Sequence, residues 1–156
     1  MDTASTLDLL SPGEPTALVC FDVPEMQRLA TDQLTELGYH VHRGLFAEDI
    51  LLKLRAHTYE VVLLSEHFDG GHQREHPVLA AAIAAPAARR RQQFLVLLGA
   101  SLRTADAMQA FSLSVDLVVA LPDVVNLRPL LRRGVQRQAE FHKPLLATLE
   151  RLAGEG

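Results

Sequence analysis

The chain has 156 residues and little of what several large function classes require. It holds one cysteine, Cys20, so no internal disulfide can form, and a reducing compartment is expected. No basic stretch followed by an apolar one opens the sequence, so no secretory signal is read there. Apolar runs are short and bounded by polar residues, well under the ~20 residues that a membrane-crossing helix needs. A soluble, cytoplasmic protein is the expectation. Positive charge is not in excess: 15 Lys plus Arg stand against 19 Asp plus Glu, a formal net charge of -4. A mildly acidic chain has no general attraction to nucleic acid or to an anionic membrane. Aromatic residues make up only 5%, too few for a base-stacking platform. The phosphate-cradling patterns GxxxxGK and GxGxxG are missing, and so is the GxSxG nucleophile elbow. No internal repeat or low-complexity tract is present.

What is there reads as one globular α/β domain. Apolar residues reach 48% and charged residues 22%, enough for a real core. Residues 1–15, with Ser11-Pro12-Gly13-Glu14-Pro15 at their end, read as a flexible tail. Three continuous apolar runs, Ala17–Phe21, Tyr59–Leu64 and Phe94–Leu98, are apolar on both faces, as central strands of a parallel sheet must be. Val115–Leu121 makes a fourth. Tyr39–Arg43 alternates in polarity and fits an edge strand. Between the strands lie helical patterns. Met26, Leu29, Ala30, Gln33, Leu34 and Leu37 share one face, with Gly38 as a stop. Phe46, Ile50, Leu54 and His57 share another, widened by Leu51. Pro77–Ala88 is a helix that Pro86 interrupts, Arg89–Gln93 is a solvated linker or helix end, and Thr104–Phe111 is a short helix. Asn126–Leu152 is a last helix, which Gly134 weakens and Pro144 should kink or restart. Strict strand–helix alternation predicts a doubly wound, five-stranded parallel sheet of the flavodoxin-like class.

Three features resemble the receiver domain of two-component response regulators, over about residues 16–137. An apolar strand ends in an acid, Asp22, and a helix follows at once. Tyr59-Glu60-Val61-Val62-Leu63-Leu64-Ser65 is similar to the receiver strand that leads into the phosphoacceptor aspartate. Asp116–Pro122 is similar to the last strand with its lysine-proline end. The resemblance then fails where the chemistry should be. The phosphoacceptor position falls on Ser65 and the acidic pair on Phe21 and Asp22. The fourth-strand hydroxyl falls on Gly99, with Ser101 displaced nearby, and the lysine falls on Leu121. Receiver phosphorylation needs a carboxylate nucleophile, clustered acids to hold Mg²⁺, and a cation facing the phosphoryl group. Only Asp22 matches. Glu66 comes one residue late and would point to the other side of the sheet. The resemblance therefore implies a degenerate, pseudo-receiver module. It would be no enzyme, would use no cofactor, and would act through homodimerisation or a signalling partner by way of its later helices.

Other residues invite chemistry without specifying it. Glu66, His67, Asp69, His72, Glu75 and His76 form the densest group of potential ligands, and imidazole with carboxylate can bind zinc. Their spacing matches no strong zinc pattern, and a polar loop collects such residues freely. Arg89-Arg90-Arg91, and Arg128, Arg132, Arg133, Arg137 and Lys143, could serve a nucleic-acid-associated regulator, although solvated helix faces account for them as well. A small flavodoxin-like enzyme or nucleotide binder is the remaining alternative. Its ligand would sit at the strand ends, where Asp22, Ser65-Glu66, Gly99-Ala100-Ser101 and Pro122 are thin equipment. Finally, residues 138–156 read as a helical extension. Phe141, Leu145, Leu146, Leu149 and Leu152 prolong an apolar face beyond a complete domain, to pack in cis or against another chain.

Overall fold

The computed structural model describes residues 15–70 and 76–155, with the backbone alone at 141–147, 149, 150 and 155. The tail expected at 1–15 lies almost wholly outside the described residues. Strand β1 (Thr16–Cys20) leads to helix α1 (Pro24–Glu36), β2 (His40–Gly44), α2 (Ala47–Ala56) and β3 (Val61–Ser65). A 3₁₀ turn (Phe68–Gly70), two short helices, α3 (Pro77–Ile83) and α4 (Ala87–Gln92), and β4 (Phe94–Gly99) follow. Then come α5 (Ala107–Leu113), β5 (Leu117–Ala120), a second 3₁₀ turn (Leu121–Asn126) and α6 (Leu127–Glu155). The sheet is five-stranded with order β2-β1-β3-β4-β5, and every pairing is parallel. This is the doubly wound architecture that the alternation of elements predicts.

The central strands are apolar on both faces because both faces are covered. On one face Ala17, Val19, Val61, Leu63, Val96 and Leu98 pack against Ala30 and Leu34 of α1 and Leu127 and Leu131 of α6. On the other, Leu18, Cys20, Val62, Leu64, Leu95 and Leu97 meet Ile50 of α2, Val78, Leu79 and Ala82 of α3, and Ala110 of α5. Burial holds the Cys20 thiol above its usual range, as befits an inert core residue. Gly38, at φ +96, turns the chain out of α1, a conformation that glycine adopts without strain.

Several local expectations are corrected. Phe46 does not join the buried face of α2; it precedes the helix and is 65% exposed. Lys53 takes the buried place instead, its aliphatic stem in the core and its Nζ 2.7 Å from Asp49 Oδ1. For Arg89–Gln92 the helix-end alternative holds: they close α4, which restarts after the break at Pro86. The last strand is shorter than its apolar run, because Leu121-Pro122 already open the 3₁₀ turn. Helix α6 does not restart at Pro144; it is one element through both Gly134 and Pro144. One missing N–H does not end a helix that is already nucleated and propagated. At 29 residues it is about 43 Å long.

Candidate functional site at the strand ends

In a parallel sheet all carboxyl ends meet at one edge, and the crevice forms where successive connections leave in opposite directions. Here that point lies between β1 and β3, which are neighbours in the sheet. Phe21, Asp22, Val23, Met26, Ser65, Leu121 and Pro122 line a pocket of ≈ 340 Å³ there. Asp22 Oδ2 accepts a hydrogen bond from the Asp69 amide (3.2 Å), and Asp69 Oδ2 accepts one from the Ala47 amide (2.9 Å). The two carboxylates thus tie the end of β1 to the turn after β3 and to the start of α2. Asp69 has φ +49, a left-handed conformation that aspartate tolerates better than most residues. Gln27 Nε2 donates to the carbonyls of Phe21 (3.2 Å) and Gly44 (3.4 Å) and fixes the other rim.

Glu66 does not face this pocket. Strand alternation sends Ser65 to the α1 side and Glu66 to the opposite side. There its side chain lies over Gly99 and is 1% exposed. Ser101 donates to the carboxylate twice, from its amide (3.2 Å) and from Oγ (2.6 Å), and His67 Nε2 lies 3.7 Å away. A buried carboxylate needs such charge-assisted bonds. Gly99 is therefore explained by space. A Cβ at that position would stand 2.1 Å from Glu66 Cδ and 2.4 Å from its Cγ.

Comparison with solved structures decides the architecture. The chain is similar to a receiver domain protein (CheY-like) from Methanospirillum hungatei, at 12% identity and TM-score 0.64, over 82% of this chain and 98% of that one. It is similar to the signal receiver domain of an HD domain-containing protein from Pseudomonas fluorescens, at 14% identity and TM-score 0.61, over 86% and 96%. It is also similar to the response regulator DrrB of Thermotoga maritima, at 18% identity and TM-score 0.63, over 80% of this chain and 54% of that one. The fold is that of a receiver domain. No family model matches the sequence, and no curated protein matches it.

On this receiver fold the suspected metal ligands are described only in part. Among the described residues no group of three or more His, Cys, Asp or Glu side chains is placed to hold a metal ion; His72 and Glu75 lie outside the described residues. Asp69 is engaged as above. His67 is exposed, and His76 is buried. His76 Nδ1 accepts from the Leu79 amide (3.3 Å) and so caps α3, which leaves the proton on Nε2, 3.0 Å from the Ser65 carbonyl. Burial lowers its pKa. The basic residues are partly engaged within the chain. Arg90 Nη2 donates to the Ser114 carbonyl (3.1 Å), Arg103 pairs with Asp106 (2.8 Å), and Arg128 pairs with Glu36.

Two features carry no clear sequence signal. On α5, Met108 is 76% exposed and Phe111 is 81% exposed. Both belonged to an apolar-looking short helix, and only the docking of α5 through Ala110 reveals which side faces outward. Beneath α2, His42 Nδ1 lies 2.7 Å from the Tyr59 hydroxyl, and the ring of His57 stands edge-on to Tyr59 at 4.7 Å. His42 is buried, and its Nε2 has no partner among the described residues; burial lowers its pKa. Of the C-terminal apolar set, Leu152 is 56% exposed. The side chains of Phe141, Leu145, Leu146 and Leu149 lie outside the described residues. No helix is long and apolar enough to cross a membrane, among the described residues.

Proposed function

We propose that this chain is a pseudo-receiver, a signalling module that works by binding a partner or a second copy of itself without being phosphorylated. The observation that carries this reading is the composition of the strand ends. Ser65 rather than a carboxylate closes β3, and the next acid, Glu66, is turned to the other face and held by Ser101. Leu121 and Phe21 supply apolar walls where a cation and a second acid would be needed. Met108 and Phe111 support the binding half of the reading. Large apolar groups three apart on one exposed helix face suit a contact with another protein. With two-fold symmetry the same patch would meet itself. Helix α6, which continues to Glu155, offers a further surface.

Incubation with acetyl phosphate and Mg²⁺, followed by intact-mass measurement, should add no phosphoryl group. Beryllofluoride should show no saturable binding near Asp22 and Ser65. A specific adduct on any residue would overturn the phosphorylation-independent reading. Sedimentation equilibrium of the full chain, and of a version ending at Gln138, tests self-association separately. A full chain that stays monomeric at high concentration would rule out the homodimer, and a dimer unaffected by truncation would move the interface off residues 139–156.

A further inference from the structure

The strand-end pocket has a chemistry of its own that the interaction reading does not use. Its walls are apolar: Phe21, Val23, Met26, Leu121 and Pro122. Two polar groups face it and are not consumed by the fold. Asp22 uses only Oδ2 in the bond from Asp69, and Oδ1 has no partner among the described residues. The Ser65 hydroxyl likewise has none there, since only its carbonyl is engaged, by His76. Among the described residues no Lys or Arg lines the pocket.

These facts select a ligand class by elimination. A hard divalent cation needs about six oxygen ligands, and this lining offers carbon on most sides. An anion would meet the Asp22 carboxylate. The positive end of α1 lies close by, but it carries only about half a charge against the full one of Asp22. Nucleotides and flavins are anionic, and a volume of ≈ 340 Å³ is at the small end for ligand pockets. Among charged ligands, what remains is a small cation with an apolar body.

We propose that this pocket binds a small primary amine with a short apolar body, its ammonium on Asp22 Oδ1 and the Ser65 hydroxyl and its body among Phe21, Met26 and Leu121. Binding adds an input to the module that is independent of phosphotransfer, because no bond to the protein is made.

The test uses the full chain at neutral pH, titrated with hexylamine, hexanol and hexanoate by calorimetry and by amide and methyl NMR. Hexylamine should bind saturably and shift the resonances of Val23, Met26, Ser65 and Leu121. Hexanol should bind about fivefold more weakly, the worth of one partly exposed charge pair, and hexanoate should not bind. Asp22→Asn, which keeps an acceptor for the Asp69 amide, should weaken hexylamine about fivefold and leave hexanol unchanged. Leu121→Lys, which places an internal cation and fills the wall, should abolish hexylamine binding. Equal binding of amine and alcohol, no effect of Asp22→Asn, shifts centred elsewhere, or no binding of hexylamine would each overturn the proposal. Beryllofluoride binding reports on phosphorylation alone, so failure of one reading is distinguishable from failure of the other.

Discussion

Gly99→Ala is a one-carbon change that should cost far more than a surface substitution. The new Cβ would lie 2.1 Å from both Cδ and Oε1 of Glu66 and 2.4 Å from Cγ. Swinging the carboxylate alone does not relieve a contact that includes Cγ, so the whole side chain must leave. It then forfeits the two bonds from Ser101 and leaves the Ser101 amide without its acceptor. Overpacking costs about 1–3 kcal/mol, and hydrogen bonds to a charged group are worth about 1.5–3 kcal/mol. Relaxation at this edge of the sheet recovers part, so a net loss of about 2 kcal/mol is expected. For a chain of this size that lowers Tm by about 4–8 °C. Chemical denaturation of the single variant, of Glu66→Ala and of the double variant forms a cycle. In the double variant the methyl group occupies space that Glu66 has vacated, so the two costs should not add, with a coupling of at least ~1 kcal/mol. A Gly99→Ala variant within about 0.5 kcal/mol of the parent, or a strictly additive double variant, would refute the packing account of Gly99.

The same reasoning gives further expectations. Gly134→Ala should destabilise by about 1 kcal/mol in spite of the helix propensity of about 1 kcal/mol that alanine gains, because a Cβ there lies 2.7 Å from Phe94 Cζ; a more stable variant in thermal melts would contradict the contact. Gln33→Ala should cost about 2 kcal/mol by urea titration, since Nε2 donates to the Val124 carbonyl (2.5 Å) and Oε1 accepts from the Arg128 amide (3.1 Å) in a buried setting. His42 and His76 both have lowered pKa values, with burial as the first cause. The unfolded chain therefore takes up protons near pH 6.5 before the folded one does. Stability from these two groups should be intact above about pH 6.5 and should fall as the pH drops below it. A urea midpoint that does not move between about pH 7.5 and about pH 5, or that rises on acidification, would be inconsistent with neutral buried imidazoles. Met108→Ser with Phe111→Ser should leave the melting temperature within a few degrees, as both side chains are exposed, and should weaken any self-association seen by sedimentation.

The architecture was legible because it rests on periodicities that a single sequence carries. Runs such as Val61–Leu64 and Phe94–Leu98 are apolar on both faces, and that pattern is stable only in a sheet covered twice. Alternation of such runs with amphipathic helices leaves few topologies, because parallel crossovers are right-handed. Glycine and proline marked real boundaries at Gly38 and Pro86. The reading was weakest where a residue's role depends on length and reach rather than on period. Lys53 counts as polar in any pattern, yet its stem is long enough to bury while its ammonium stays on Asp49. Phe46 counts as apolar, yet it falls just before α2 begins and faces outward.

The sequence by itself determined that a receiver-like sheet has Asp22, Ser65, Gly99 and Leu121 at its strand ends. It also determined that Glu66 points away from Ser65, since adjacent residues of a strand take opposite faces. Only the tertiary structure decided what Glu66 does on that side. Its contact with Gly99 and Ser101 spans more than 30 residues of chain and exists because β3 and β4 are neighbours in a particular register, with Ser65 opposite Leu98. The outward side of α5 was decided in the same way. Met108, Ala110 and Phe111 are all apolar, and which of them is buried depends on how the helix docks on the sheet. Local spacing is fixed by bond geometry, whereas such contacts are fixed by packing between distant segments. The first is written along the chain, and the second appears only when the strands pair.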